Sequence, residues 1–322
     1  MAREILLARA MLEEGDSSMN FDDSRPSAKK YPYNFGAIAK TYAGTDAAVC
    51  LIPFGYDSTS NPAAATRRGP EAILRASRNL ELFDSELGVE TYKVGLATLD
   101  EVEPNVNSPL ENSKVVEAVV TEVLNSSKLP VILGGDHSLT FGAAQAVQNK
   151  YKDIGVLMLD AHPDLFDEFE GTKYGHASVT RRIHELGVTV AVAGLRSASL
   201  AESEFISNCG LTVVKTRDML NSEKAIGRVL TVLPEHIYLS IDLDVMDPSE
   251  MPAVANPEPG GLRWYNIMDC LERVIRERTV VGFDVVELCP IPGNPTPDFI
   301  AAKLIYRTIG LIMRDRLETP AL

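Results

Sequence analysis

Short apolar runs alternate with amphipathic stretches of helical length along most of this chain. Ala47–Phe54, Pro130–Leu133, Ile154–Leu159, Val188–Leu195, Leu211–Val214, His236–Ile241 and Val280–Val286 read as strands with no polar face. A strand that is apolar on both sides is buried on both sides, as in a parallel sheet covered by helices. Helical periodicity falls between these runs: Gly69 to about Leu82, Glu111–Leu124, Ser138–Lys150, Ala177–Leu186, Glu223–Leu233, Trp264–Ile275, and about Asp298–Arg316. Gly69-Pro70 suits a helix start, because proline's missing N–H is among those that a first turn leaves unpaired. The alternation predicts one α/β domain over residues 45–322, a three-layer α/β/α sandwich with a mainly parallel sheet. Residues 1–44, polar from Ser17 to Tyr33 and broken by Pro26 and Pro32, read as an N-terminal arm suited to packing on a neighbouring subunit.

In open parallel sheets, sites form outside the carboxyl ends of the strands. Four of the apolar runs end in candidate chemistry. Val131–Leu133 leads into Gly134-Gly135-Asp136-His137-Ser138, where two glycines permit a tight turn and close backbone approach. Val156–Leu159 leads into Asp160-Ala161-His162-Pro163-Asp164. In extended chain, residues i, i+2 and i+4 share a side, so Asp160, His162 and Asp164 converge if the strand geometry persists. Ile237–Ile241 leads into Asp242-Leu243-Asp244, and the last run ends at Glu287. Single residues of this kind usually have plainer roles. Asp247 before Pro248 reads as a turn residue, and His184 and His236 as satisfied polar groups. The combination is what carries the signal.

Four aspartates and two histidines are too many ligands for one tetrahedral zinc and offer no thiolate. They suit a pair of divalent ions sharing carboxylates. Oxygen-rich sites with one imidazole per metal suit manganese.

The three segments Gly134–Ser138, Asp160–Asp164 and Ser240–Asp244 resemble the signature motifs of the ureohydrolase (arginase/agmatinase) family. The similarity runs from about Ile52-Pro53-Phe54 and Arg68-Gly69-Pro70-Glu71 to Ala301-Ala302-Lys303-Leu304. The resemblance implies an arginase/deacetylase-like fold and a hydrolase that releases urea from a guanidino compound, with two manganese ions as cofactor. It implies that Asp160 and Asp242 bridge the ions, that His137 and Asp164 complete one site, and that His162 and Asp244 complete the other. His176 takes the place of a proton-shuttling histidine, and Glu287 that of a glutamate gripping the guanidinium. Asp164 is placed to accept the nucleophile's proton. Homo-oligomers, trimers or hexamers, are implied as well.

The choice of guanidine turns on the segment after the second motif. Where arginases carry an asparagine for the substrate carboxylate, this chain has Phe166, followed by Asp167, Glu168 and Glu170. Aromatic and acidic residues suit a protonated amine, which points to agmatine cleaved to putrescine and urea. Aminopropylagmatine, guanidinobutyrate, arginine and formiminoglutamate are alternatives of the same fold, as is a metal-holding homologue without turnover. A carboxylate-bearing substrate would need an arginine at the pocket mouth, and Arg196 is the candidate. The chain departs from the family pattern at Ile241, Ala253, Ala255, Asn256 and Arg263. Alanine in place of glycine leaves the path of that loop open, and an inward Arg263 would oppose a cation.

Composition changes the picture only by exclusion. Of 322 residues, 45% are hydrophobic and 24% charged, the balance of a globular chain. A net charge of −14 argues against nucleic acid as a partner and is compatible with a small cationic guanidino substrate. Neither a membrane span nor a secretory leader is expected, since Arg3, Glu4 and Arg9 interrupt the apolar start; a cytoplasmic enzyme is the expectation. Cys50, Cys209, Cys270 and Cys289 have no framework spacing and read as free thiols.

Overall fold

Eight strands pair exclusively in parallel in a computed structural model that describes residues 31–57, 65–105, 108–221 and 224–317. In chain order they are β1 (Val49–Phe54), β2 (Leu96–Thr98), β3 (Leu129–Gly134), β4 (Ile154–Leu159), β5 (Thr189–Leu195), β6 (Thr212–Lys215), β7 (His236–Asp242) and β8 (Thr279–Val286). Their order across the sheet is β2-β1-β3-β8-β7-β4-β5-β6. Strands β3, β8, β7 and β4, whose ends carry the candidate chemistry, are therefore four consecutive neighbours at the centre.

Alternate side chains on the strands feed two cores. Leu51, Leu133, Leu157, Leu239 and Phe283 pack on one face against α1 (Gly69–Ser77), α7 (Ala225–Val232), α8 (Trp264–Glu277) and α9 (Thr296–Ile312). Ile52, Ile132, Val156, Met158 and Tyr238 pack on the other against α2 (Pro109–Asn125), α3 (Leu139–Lys150) and α4 (Val179–Glu185). Two apolar faces on one sheet make the three-layer sandwich that the periodicity predicts.

Three elements are not legible as periodic runs: β2, α5 (Leu200–Cys209) and α6 (Thr216–Asn221). Strand β2 is a three-residue edge, and α5 buries only Glu202. Helix α1 is shorter than its periodicity suggests, because Ser77 Oγ donates to Leu74 O at its end and accepts Gly36 N. Most of the expected arm lies outside the described residues. What is described of it packs on the core: Phe35 is fully buried and stacks on Tyr306 at 6.5 Å, and Ile38 is buried beside it. Packing thus starts well before residue 45; the apolar residues 35–39 make too short a run to give a periodic signal. No helix among the described residues is long and apolar enough to cross a membrane. All four cysteines are free.

Candidate active site and metal centre

The turn after β3 depends on glycine. A Cβ on Gly135 would lie 1.8 Å from Tyr56 O, so only glycine admits the Asp136 N–H to Tyr56 O bond of 2.8 Å. That turn delivers His137, 1% exposed, to the centre of the sheet. After β4 the extended geometry does not persist. The strand stops at Leu159, and Asp164 adopts a left-handed φ of 50°. Short polar side chains tolerate that region best. The convergence of Asp160, His162 and Asp164 is therefore made by a turn. It is pinned by His162 N donating to Asp160 Oδ1 (2.6 Å) and by Ala161 N donating to Asp244 Oδ1 (2.9 Å). After β7, Asp244 N donates to Asp242 Oδ1 at 2.8 Å. After β8, Glu287 sits at φ 66°, and its Oε1 accepts the His137 N–H at 2.7 Å.

These ends bring the six expected ligands together. His137 Nδ1 lies 3.1 Å from Asp160 Oδ2 and 3.2 Å from both Asp164 Oδ2 and Asp242 Oδ2. His162 Nδ1 lies 2.7 Å from Asp244 Oδ2 and 3.8 Å from Asp160 Oδ1. Two triads have metal-binding spacing, His137/Asp160/Asp242 and Asp160/His162/Asp244, and Asp160 belongs to both.

The residues fit cations. His137 Nδ1 and Asp160 Oδ2 are buried and have no hydrogen-bond partner. Orphaned buried polar atoms are costly unless something compensates them. Burial, then the charges of Asp164 and Asp244, push the Asp160 carboxyl up to about 7. Burial and the neighbouring carboxylates also raise Asp242 and Glu287 well above the ordinary range. Burial would lower His162, yet its bond to Asp244 carries it to about 10. Carboxylates that resist ionisation in one another's company become favourable around a divalent ion, whose charge inverts the local balance.

Behind His137 lies a buried polar chain that the motifs do not reveal. His137 Nε2 meets Ser240 Oγ at 2.9 Å, and Ser240 Oγ donates to Asp284 Oδ1 at 2.6 Å. Thr140 Oγ1 donates to Asp284 Oδ2 at 2.9 Å. Asp284 sits mid-strand in β8, where an acidic residue inside an apolar run is the one sequence signal that could have singled it out.

A cavity of about 250 Å³ opens over the triads, lined also by Phe166, Phe169, Glu170, His176, Glu202 and Asn256. His176 packs edge-on against Phe169 at 5.6 Å. Phe166 lines the cavity, whereas Asp167 and Glu168 do not. Asp167 is turned outward to Arg182 (2.7 Å) and Lys173 (3.3 Å), which lower its pKa. Phe169 and Thr172 bridge across a tight turn in which Glu170 and Gly171 have φ of 48° and 79°. That turn rolls Glu170, not its two acidic predecessors, to the rim. Glu202, buried, caps α5 through Ser199 and accepts Leu165 N at 3.1 Å, so it braces the same loop.

Arg196 is not at the mouth. Its guanidinium donates to the carbonyls of Asp244 (2.5 Å), Glu258 (2.8 Å) and Met246 (3.1 Å), clamping the loop after β7. Arg263 is exposed and does not line the cavity. Neither Ala253 nor Ala255 has a positive φ, so the loop follows its path without glycine there. Asp247 is a turn residue, accepting from Ser249, Gly260 and Gly261. His184 packs against Phe205 and His236 against Tyr151.

Comparison with known proteins agrees with this geometry. Residues 47–310 match the Arginase family. An N(1)-aminopropylagmatine ureohydrolase of Thermus thermophilus is 36% identical over 266 residues, 83% of this chain and 90% of the relative. An agmatinase of Pyrococcus horikoshii is 34% identical over 272 residues, covering 84% and 93%. The solved structure of an agmatine ureohydrolase of Thermoplasma volcanium superposes with a TM-score of 0.79 at 29% identity, covering 88% of this chain and 96% of that one. With the parallel sheet and the clustered histidines and aspartates, these similarities establish that the chain belongs to the arginase family, as a ureohydrolase.

Proposed function

We propose that the enzyme hydrolyses agmatine to putrescine and urea at a pair of manganese ions. The observation that carries the substrate choice is the cavity's charge. Glu170, Glu202 and Glu287 line it along with the ligand aspartates, and among the described residues no lysine or arginine does. Arg196, the arginine that the sequence offered for a substrate carboxylate, is committed to backbone carbonyls. A substrate cationic at both ends fits. Arginine, guanidinobutyrate and formiminoglutamate each bring a carboxylate that nothing there would neutralise.

His137, Asp160, Asp164 and Asp242 would hold one ion, and Asp160, His162, Asp242 and Asp244 the other, with oxygen-rich coordination suited to manganese. Two such ions supply the Lewis acidity that makes water a competent nucleophile at neutral pH. The protein's residues do the rest. Glu287 lines the cavity beside the triads and holds the guanidinium by charged hydrogen bonds, fixing the carbon for attack. The Asp164 carboxylate accepts a proton from the attacking water. His176, on the cavity wall, delivers a proton to the departing amine nitrogen. Phe166 and Phe169, 5.4 Å apart, line the channel for the methylene chain, and Glu170 meets the distal ammonium at the rim.

Aminopropylagmatine is the second reading, favoured by the name of the Thermus thermophilus relative. It is also cationic at its far end. Urea release with manganese from agmatine, aminopropylagmatine, arginine and guanidinobutyrate tests the reading. Agmatine or its aminopropyl derivative should lead. Equal turnover of arginine or guanidinobutyrate would overturn it.

A further inference from the structure

A neutral imidazole has one proton and can bind a metal only through the nitrogen that lacks it. His137 faces the carboxylates with Nδ1, so a metal there requires the proton on Nε2. The chain behind the ring determines where it goes. Ser240 and Thr140 each have one hydroxyl proton. Asp284 offers two acceptor oxygens, Oδ1 at 2.6 Å from Ser240 Oγ and Oδ2 at 2.9 Å from Thr140 Oγ1. With both hydroxyl protons directed at the carboxylate, Ser240 Oγ is left only as an acceptor towards His137 Nε2, 2.9 Å away. The nitrogen must then be the donor. Ser240 and Asp284 are both 0% exposed and His137 is 1% exposed, so bulk solvent does not compete for these bonds. Thr140 comes from α3, Ser240 from β7 and Asp284 from β8, so the chain also fixes the ring against three elements.

We propose that Asp284 is a positioning residue for the metal centre: acting through Ser240, it locks His137 in the tautomer that carries its proton on Nε2 and presents Nδ1 to a metal. This rests on the reading of His137 as a ligand. A partner that orients a ligating histidine through its second nitrogen typically accounts for about 10–100-fold in metal affinity. Here the partner is a carboxylate one hydroxyl away, so removing the hydroxyl and removing the charge should have the same kind of effect.

The test is calorimetric titration of metal-free protein with manganese, supported by metal analysis after gel filtration. The wild-type chain should bind two ions. Ser240→Ala and Asp284→Asn should each weaken one of them by about 10–100-fold and leave the other near its wild-type affinity. Thr140→Val keeps the Ser240–Asp284 bond and should stay within about threefold of wild type on the same scale. Circular dichroism and melting of the metal-free forms separate a local loss from a folding defect. Should Asp284→Asn fail to fold, Ser240→Ala carries the test alone, since it removes one buried oxygen. A wild-type chain that binds no manganese would remove the metal reading and this proposal together. Two ions bound by the wild type, with unchanged dissociation constants in the folded variants, would overturn this proposal and leave the metal reading standing.

Discussion

Glu287 Oε1 accepts the backbone N–H of His137 at 2.7 Å, so the end of β8 is tied directly to the turn that follows β3. The strands are neighbours in the sheet, but 150 residues separate the two partners in sequence. Glu287 reaches this contact from a left-handed φ of 66°, a conformation that costs about 1–3 kcal/mol in a non-glycine residue and that concentrates at functional sites.

Glu287→Gln keeps an oxygen for the His137 N–H but loses the charge that would hold a guanidinium. A hydrogen bond to a charged group contributes about 1.5–3 kcal/mol. The variant should therefore fall by roughly 10–150-fold in kcat/KM while still binding two metal ions. Steady-state kinetics beside metal analysis checks both halves. Loss of manganese in the variant would instead make Glu287 a support of the metal site.

Asp160 belongs to both triads, and Asp242 lies 3.2 Å from His137 while its Oδ1 accepts the Asp244 N–H. Asp160→Asn and Asp242→Asn should each lose most bound manganese and most activity. Two ions retained at wild-type affinity in both variants would sink their bridging role.

Stripping metal should destabilise the fold, since it leaves four buried aspartates crowded around His137 and His162. A ligand at a hundred times its Kd stabilises by about 2.7 kcal/mol, which is roughly 5–10 °C in a large domain. Differential scanning calorimetry with chelator and with excess manganese should show a difference of at least that size. Coincident melting curves would argue against tight metal binding at this cluster.

Substrate choice should rest on Glu170 and not on Asp167. Agmatine should exceed arginine in kcat/KM by about a hundredfold, the equivalent of one charged hydrogen bond of ~3 kcal/mol at the far end of the substrate. Glu170→Gln should lower that ratio by slowing agmatine, with little change for butylguanidine, which has no distal amine. Asp167→Asn, which removes only outward ion pairs, should leave the ratio unchanged. A ratio that collapses in Asp167→Asn and survives in Glu170→Gln would reverse the assignment.

The fold class was legible because burial on both faces of a strand imposes a composition that local sequence displays. Pro130–Leu133, Ile154–Leu159 and His236–Ile241 fall within the observed strands for that reason. Strand β2 and helix α5 are not, because an edge of three residues and a helix that buries one side chain impose no period. The candidate ligands were legible for a related reason: each lies at the end of its strand or within a few residues after it, so motif and geometry are both local.

By itself, then, the amino-acid sequence determined the α/β/α class, the strands that end in chemistry, and a candidate ligand set of oxygen and imidazole. The tertiary structure decided which of those strands stand side by side, since order across the sheet depends on crossovers and not on any local pattern. It turned Asp167 outward, because Arg182 lies on another element 15 residues away, and set Glu170 at the cavity rim through a turn with two positive φ angles. It committed Arg196 to the carbonyls after β7. And it placed Asp284 behind Ser240, 44 residues earlier, because hydrogen-bond partners drawn from neighbouring strands are set by sheet register, which no single segment encodes.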